Sequence, residues 1–229
     1  DIGRPKALAQ ARRLRRISPD LQVVPIRASV ERLPLGALRS SVILAALDSR
    51  KARMVVNQAA WRLGVPWIDA GVHADGMLAR VRVYVPAVDV PCLECAWGQD
   101  DYAALEQTYP CAPGVTAGST GAASTLGALA AALQAAECDA FLAGDAPHPL
   151  AGREVLLDMR HHTHSVTTYR RNPSCRMPDH AGWRIGALGS SPERTTVEEF
   201  LALGSTLRGA AASLTFGIAG ERIATTLRC

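Results

Sequence analysis

The sequence predicts an α/β fold with a mainly parallel sheet, flanking helices and antiparallel closing strands. The 229 residues are 48% hydrophobic and 20% charged, which is enough apolar material for one packed domain, or for one domain with a small appendage. Residues 42–47 form a continuous apolar run, as expected of a strand that a parallel sheet buries on both faces. Strand-like and helix-like segments alternate around this run, which is typical of a doubly wound sheet.

The elements of this predicted domain follow from local patterns. They lie, in chain order, at 5–17 (helix), 21–26 and 42–47 (strands), 48–63 (helix), 65–70 and 77–85 (strands), 117–144 (helix), and 154–159 and 164–169 (strands). Pro5 suits the first turn of a helix, and Gly144 suits a helix end. Segment 77–85 alternates apolar and polar residues, as a half-buried strand does. The last two strands are expected to pair antiparallel and to close the sheet.

The character of the chain changes near residue 183, which predicts a main domain over 1–182 and a small module over 183–229. Thr195 and Thr196 precede Glu198 and Glu199, and this spacing predicts a capped helix. Two further segments flank the sequence IAGE and predict a hairpin; they lie at 213–217 and 222–228.

Composition narrows the classes of function. The net charge of +4 is too small to indicate nucleic-acid binding by itself, and no apolar run is expected to cross a membrane. Six cysteines are too few for a disulfide scaffold, and the start of the chain shows no secretion signal, so we expect a cytoplasmic protein. The chain opens on Asp1 rather than Met, so we also expect it to be part of a longer protein.

Two charged residues are candidates for binding a nucleotide. Asp48 directly follows the apolar run 42–47, and ligands of open α/β sheets bind at the carboxyl ends of strands. An aspartate there can hold Mg²⁺ on a phosphate, or it can serve only as a helix N-cap. Lys6 lies at a helix start, where a cation opposes the helix dipole unless it meets an anion. The alternative for Lys6 is an ordinary surface lysine.

Four residues are candidate ligands of a structural zinc ion. Cys92 and Cys95 form a C-x-x-C pair, and Cys175 follows about eighty residues later with His180 close behind it. Thiolates and an imidazole in this pattern give the tetrahedral shell that zinc prefers. His180 is the favoured fourth ligand and Cys229 the second choice. The alternative is that these cysteines are small buried apolar residues.

Cys111 is the candidate reactive thiol. It lies in a long irregular segment, 92–116, shortly before the predicted 117–144 helix. Thiols near helix N-termini have lowered pKa values and are reactive, although many loop cysteines have no chemical role. Cys138 lies among Ala and Leu within that helix, so we expect it to be inert.

Five segments of the chain lie in the order of the motifs of one known family. They are DIGRPKALAQARRLRRISPDLQV (1–23), LDSRKARMVVNQAAWRLGVPWIDAG (47–71), PCLECAW (91–97), CAPGVTAGSTGAASTLGALAAALQAAECDAFLAG (111–144) and RRNPSC (170–175). Together they resemble the ThiF/MoeB/HesA adenylyltransferases, the group that includes ubiquitin-activating enzymes, over about residues 1–180. The resemblance implies a Rossmann-like fold.

The resemblance also implies an activity. In this family the C-terminal carboxylate of a ubiquitin-like or sulfur-carrier protein attacks the α-phosphate of ATP and gives an acyl-adenylate and pyrophosphate. Lys6 would neutralise ATP phosphates, Asp48 would hold Mg²⁺, and Arg53 and Asn57 would support that site. Cys111 matches the cysteine that ThiF-like members join to the carrier, so a thioester or acyl-disulfide step is expected to follow. A homodimer is expected, and no nucleic-acid or membrane partner.

The chain departs from the family pattern at several points. Ser49 stands where the family has Asn, and Pro178 stands where the second zinc knuckle has Cys. The family's glycine-rich phosphate loop would lie upstream of Asp1, so we expect the 229-residue chain alone to lack a complete ATP site. Two alternatives remain open: a non-catalytic partner subunit or binding module, and an enzyme that adenylates a peptide.

Overall fold

The computed structural model describes residues 2–106, 121–144, 148, 150–177, 180, 194–196, 198, 199 and 202, and the backbone of 216–218 and 221–224. Its helices are α1 (Lys6–Ile17), α2 (Arg50–Leu63), α3 (Gln99–Ala103) and α4 (Ser124–Ala143). Its strands are β1 (Ile43–Ala45), β2 (Trp67–His73), β3 (Leu78–Tyr84), β4 (Arg153–Asp158), β5 (Thr163–Thr168), β6 (Phe216–Ile218) and β7 (Glu221–Ala224). Short 3₁₀ helices lie at Val30–Arg32, Leu35–Leu38, Leu93–Ala96 and Ala104–Glu106.

A five-stranded sheet in the order β1-β2-β3-β4-β5 forms the centre of the domain. The α/β class and the flanking helices are confirmed, but the parallel part of the described sheet is smaller than predicted. Only β1 and β2 pair parallel, and the other three neighbouring pairs are antiparallel. The reason lies in the connections, because β1 reaches β2 through α2, whereas β2–β3 and β4–β5 are joined by short turns. The predicted antiparallel pairing of the last two strands is confirmed.

Two predicted strands differ from the structure. Residues 21–26 form no strand, and Pro25 lacks the backbone N–H that a ladder requires. The apolar run 42–47 shortens to the three residues of β1, and the Leu44 side chain is 50% exposed. Ala45 is buried and Leu44 points to the opposite, exposed face, so only one face of β1 is covered.

Helix α2 begins and ends close to the predicted residues, but its N-cap is not the predicted one. The Ser49 hydroxyl accepts a hydrogen bond from the Ala52 N–H at 2.9 Å, so Ser49 rather than Asp48 is the N-cap. Gly64 ends the helix with φ of 66°, a left-handed conformation that favours glycine. This N-cap leaves the Asp48 carboxylate available for another task.

Helix α4 covers the apolar face of the sheet. Ala79, Val81 and Val83 of β3 point to this face and are fully buried against Leu126 and Ala130 of α4. A polar contact accompanies this packing. The buried Gln134 amide donates to the Ala45 carbonyl at 2.9 Å and to the Ile68 carbonyl at 2.8 Å, so α4 is bonded to both parallel strands.

By length and composition, α4 is the one helix in the described part of the chain that could cross a membrane. The expectation that no apolar run is long enough is therefore wrong for this segment. A single helix of this kind is weak evidence for a membrane span, because a helix that packs on the sheet of a globular domain passes the same test. In the structure α4 contacts β2 and β3.

The described parts of the C-terminal region agree with the predicted local elements. The Thr196 hydroxyl accepts from the Glu199 N–H at 3.2 Å, and the Glu199 carboxylate accepts from the Thr196 N–H at 2.8 Å, which is a capping box. Strands β6 and β7 pair antiparallel as a two-stranded sheet. The division into domains at residue 182 stays a prediction.

Candidate active site and metal centre

An open cavity of about 540 Å³ lies on the polar face of the sheet, at the carboxyl ends of β1 and β2. Ligands of open α/β sheets bind at this position. Its lining residues come from the end of β1 and the start of α2, from β2, β3 and β4, from the Cys92–Trp97 region, from α3 and from the residue after β5. They are Asp48, Arg50, Arg53, Gly71, Val72, His73, Leu78, Arg80, Arg82, Leu93, Ala96, Trp97, Asp101, Glu154, Leu156 and Tyr169.

Asp48 lies at the mouth of this cavity with an exposed carboxylate. No other residue in the described ranges makes a hydrogen bond or an ion pair with it, because Ser49 has taken the capping role. A carboxylate with unused oxygen atoms at a strand end is a suitable ligand for Mg²⁺, which prefers hard oxygen donors. The residues present therefore fit the cation that the sequence predicted.

The floor of the cavity is an ion-pair network built around a buried carboxylate. Asp69, in the middle of β2, has no exposed surface, and its two oxygens accept from Arg53 and Arg80, each at 2.9 Å. Arg53 reaches it from α2, and Arg80 reaches it from β3. Gly71 leaves room for both side chains, since a Cβ there would lie 3.3 Å from each guanidinium group.

Glu154 of β4 extends the same network across the sheet. Its carboxylate lies 3.2 Å from an Arg80 nitrogen and 2.7 Å from an Arg82 nitrogen. Arg82 also donates to the hydroxyls of Tyr84 and Tyr169, and its guanidinium lies 3.8 Å from the centre of the Tyr169 ring. Burial raises the pKa of both tyrosine hydroxyls, so both remain protonated at neutral pH.

Sequence reasoning missed most of this network. Arg80 and Arg82 alternate with Ala79, Val81 and Val83, and this alternation by itself predicts only a half-buried strand. A usable signal was present, because two arginines two residues apart on one strand share a face and require acids from the neighbouring strands. Asp69 and Glu154 supply those acids.

The predicted nucleotide-site residues do not all meet at the cavity. Asp48 and Arg53 line it, whereas Lys6 is exposed at the start of α1 and is not among its lining residues. Asn57 is fully buried one turn after Arg53 and contacts the Cys92–Cys95 region rather than the cavity. The two residues are four apart and share one face of α2, but Asn57 lies about 6 Å farther along the helix axis, where it meets the Leu93 backbone instead of the cavity. Cys111 lies outside the described residues.

The predicted zinc ligands come together in one cluster of Cys92, Cys95, Cys175 and His180. The Cys92 sulfur lies 3.8 Å from that of Cys95 and 3.7 Å from that of Cys175, and His180 Nε2 lies 3.7 Å from both Cys92 and Cys95. A tetrahedral zinc ion with Zn–S bonds of about 2.3 Å places neighbouring sulfurs about 3.8 Å apart. The cluster therefore fits a zinc ion, with His180 as the fourth donor; Cys229 lies outside the described residues.

The chemistry of the cluster also fits a cation. Burial, followed by the neighbouring Cys95 and Cys175, raises the pKa of the Cys92 thiol, and burial raises that of Cys175. Thiols packed this closely resist ionisation unless a positive charge offsets it, and a divalent metal supplies that charge. Cys138, by contrast, lies half-buried in α4 among apolar neighbours.

Comparisons with known proteins show which family the chain belongs to. A model of the ThiF family matches residues 1–177. The sulfur carrier protein adenylyltransferase of Thermus thermophilus is 31% identical over 182 residues, which covers 76% of this chain and 63% of that protein. The SAMP-activating enzyme E1 of Haloferax volcanii is 28% identical over 178 residues and covers 76% of this chain and 61% of that protein. The chain thus spans about three-fifths of the length of these curated relatives.

A solved structure shares the fold. The Escherichia coli MccB structure with ATP superposes with a TM-score of 0.58 at 20% identity, covering 77% of this chain and 51% of that chain. The family match covers more than half of the chain, and it includes α1, Asp48, Arg53 and the three clustered cysteines. The chain therefore belongs to the ThiF family.

Proposed function

We propose that this chain forms part of an ATP-dependent adenylyltransferase that activates the C-terminal carboxylate of a ubiquitin-like or sulfur-carrier protein. The observation that carries the proposal is Asp48, a carboxylate without a partner among the described residues, at the carboxyl end of β1 beside an arginine-rich cavity. The printed names of two relatives, a sulfur carrier protein adenylyltransferase and a SAMP-activating enzyme, support the same activity.

The proposed reaction depends mainly on positioning and charge neutralisation. The carrier's carboxylate attacks the α-phosphate of ATP, the bond between the α- and β-phosphates breaks, and an acyl-adenylate and pyrophosphate form. Asp48 is suited to hold Mg²⁺, which would neutralise phosphate charge when bound. Lys6 is proposed to contact the phosphates, and it reaches them only if the nucleotide extends beyond the described cavity.

The network on the cavity floor provides a surface of guanidinium groups held in place by ion pairs. It contains three guanidinium groups, from Arg53, Arg80 and Arg82, and two carboxylates, from Asp69 and Glu154. The network by itself has one positive charge in excess; Arg50 and Asp101 pair with each other at the same cavity, and Asp48 balances the excess until a cation binds it. We propose that this surface orients the anionic end of the carrier toward the nucleotide.

The finer details belong to the same proposal. A zinc ion held by Cys92, Cys95, Cys175 and His180 would have a structural role, since four protein donors leave no open position for substrate. Cys111 is proposed to accept the activated carrier in a covalent step, and the protein is proposed to act in the cytoplasm as a homodimer.

The adenylation step is tested by ATP–pyrophosphate exchange in the full gene product, with purified carrier protein as substrate. Asp48→Ala should lower the exchange rate by at least about a hundredfold, which is the scale of losing a key charge stabiliser. Asp139→Ala is the matched control, because Asp139 is an exposed acid on α4, across the sheet from the cavity, and its exchange rate should stay within about twofold of the parent rate.

Two results would overturn the proposal. An unchanged rate for Asp48→Ala removes this carboxylate from the mechanism. A parent protein that exchanges pyrophosphate only with a short peptide, and not with any Gly-Gly-terminated carrier, identifies a peptide-adenylating enzyme instead.

A further inference from the structure

Asn57 is a buried polar side chain on the side of α2 that faces the metal cluster, by which we mean the candidate ligands Cys92, Cys95, Cys175 and His180. It has no exposed surface, and its Oδ1 accepts from the Leu93 backbone N–H at 3.1 Å. Its amide nitrogen lies 3.1 Å from the Met177 sulfur and 3.4 Å from a Glu94 carboxylate oxygen. All the hydrogen-bonding capacity of the side chain is therefore directed at two segments that carry metal ligands.

Those two segments are far apart in the chain. Leu93 and Glu94 lie between the ligands Cys92 and Cys95, and Met177 lies two residues after the ligand Cys175. A side chain whose only task was to satisfy its own polar atoms could do so on one segment. Asn57 instead bridges both ligand-bearing segments, and its acceptor bonds to the backbone amide inside the C-x-x-C turn.

The same turn forms one wall of the cavity. Leu93, Ala96 and Trp97 line it, and Arg53, one helical turn before Asn57, forms part of its floor. Helix α2 therefore contacts the cavity through Arg53 and the metal cluster through Asn57. A change in the conformation of residues 92–97 would move a cavity wall relative to that floor.

We propose that Asn57 is a positioning residue that holds the C-x-x-C turn in its metal-binding conformation and thereby places the cavity wall. The inference rests on the proposed function for the cavity and on the proposed zinc site for the cluster. Asn57 lies at neither the reacting atoms nor the metal position; it acts through Leu93 and Met177, and it also interacts with the thiol of Cys92. Mutation of residues that orient metal ligands in this way typically lowers metal affinity about 10- to 100-fold. For Asn57→Ala we expect zinc affinity to fall by about tenfold.

The experiment measures metal binding directly and does not depend on adenylation. Cobalt(II) is titrated into the metal-free protein under reducing conditions, and the visible spectrum of the tetrahedral thiolate complex is recorded. Zinc affinity is then obtained by competition. Asn57→Ala should weaken zinc binding by about tenfold or more and should shift the cobalt bands. Gln58→Ala is the matched control, because Gln58 also donates to Glu94, at 3.3 Å, but does not reach the Leu93 amide; its affinity should stay within about threefold.

A double substitution keeps the proposal testable if Asn57→Ala fails to fold. Asn57→Asp retains the acceptor for the Leu93 amide but places a carboxylate beside Glu94. Adding Glu94→Gln restores a donor–acceptor pair with the roles exchanged. The double variant should recover the parent cobalt spectrum and most of the zinc affinity, whereas Asn57→Asp alone should show weaker binding.

The outcomes separate this inference from the proposed function. Parent-like cobalt spectra and zinc affinity in folded Asn57→Ala would overturn the positioning role, and so would a double variant that folds without recovering the spectrum. Pyrophosphate exchange provides the second readout, where Asn57→Ala should raise the KM for the carrier more than it lowers kcat. If the parent protein shows no exchange at all, the proposed function fails while the metal-binding result still decides the role of Asn57.

Discussion

Asp48 and Ser49 are neighbours with separate tasks. Ser49 caps α2 through its hydroxyl, so the carboxylate of Asp48 is not consumed by the helix start. From the sequence either residue is a suitable N-cap, and only the structure distinguishes them. This division of roles is what makes Asp48 available for a cation at the cavity.

Cys111 stays a prediction at the residue scale, because it lies outside the described residues. If it is the reactive thiol, iodoacetamide under mild conditions should label it before Cys138, whose side chain is half-buried against the sheet in α4. Peptide mapping by mass spectrometry over a time course provides the measurement. The clustered cysteines should label slowly while metal is bound, and Cys229 is the expected competitor.

The opposite order of labelling would contradict the covalent step. If Cys138 reacts faster than Cys111, the loop thiol is neither exposed nor activated. The protein would then be an adenylyltransferase without a cysteine intermediate, which leaves the adenylation proposal intact.

At the scale of elements, the polar face of the sheet is held together by charge rather than by apolar packing. Asp69 on β2, Arg80 on β3 and Glu154 on β4 form a continuous chain of ion pairs across three strands. Arg53 joins α2 to the same chain. The network therefore stabilises the strand order and fixes the cavity floor at once.

Asp69→Ala should be strongly destabilising, because it leaves two largely buried guanidinium groups without their shared carboxylate. Removing one partner of a buried pair costs about 3–5 kcal/mol of unfolding free energy, and we expect about 3 kcal/mol here because Arg53 and Arg80 retain some solvent contact. Urea denaturation followed by circular dichroism measures the loss. Asp89→Asn is the control, since Asp89 pairs with Arg171 at an exposed position and Asn tolerates the left-handed backbone there, with φ of 65°; it should cost less than about 1 kcal/mol. A similar cost for both variants would show that the network contributes no more than a surface ion pair.

The sequence predicted which residues gather in the Cys/His cluster better than it predicted the sheet. The candidate ligands Cys92, Cys95, Cys175 and His180 are recognisable because metal chemistry restricts residue type and spacing, and the structure brings them together. The prediction of a strand at 21–26 was wrong, and so was the prediction that the strand at 42–47 is buried on both faces. A short apolar run does not reveal whether a neighbouring strand or helix covers it. Asn57 was expected near the nucleotide, and its contacts with Leu93 and Met177 depend on long-range packing that no local pattern encodes.

At the scale of the whole molecule, the metal cluster ties distant parts of the chain together. Cys92 and Cys175 are 83 residues apart, and their sulfurs lie within 3.7 Å of each other. A metal that binds only the folded arrangement stabilises it by mass action. The cluster should therefore contribute to global stability as well as to local order.

Zinc removal tests that contribution. The purified protein should contain about one equivalent of zinc per chain, and a strong chelator should lower its thermal midpoint by several degrees, as a loss of a few kcal/mol predicts. Cys175→Ser should lose zinc and should no longer respond to the chelator, while Cys138→Ser should keep one equivalent. Less than about half an equivalent in freshly purified parent protein would count against a zinc site.

The bonds from Gln134 to the two parallel strands have a consequence for synthesis on the ribosome. The chain emerges from its N-terminal side, so β1, α2 and β2 are exposed before α4 has been made. Gln134 lies 89 residues after Ala45 and 66 residues after Ile68, the two residues whose carbonyls it binds. Until it appears, water must satisfy those carbonyls, and the apolar face of the first strands remains uncovered. The nascent chain thus passes through an interval in which this half-built sheet is open to chaperones, and the interval ends only when α4 docks.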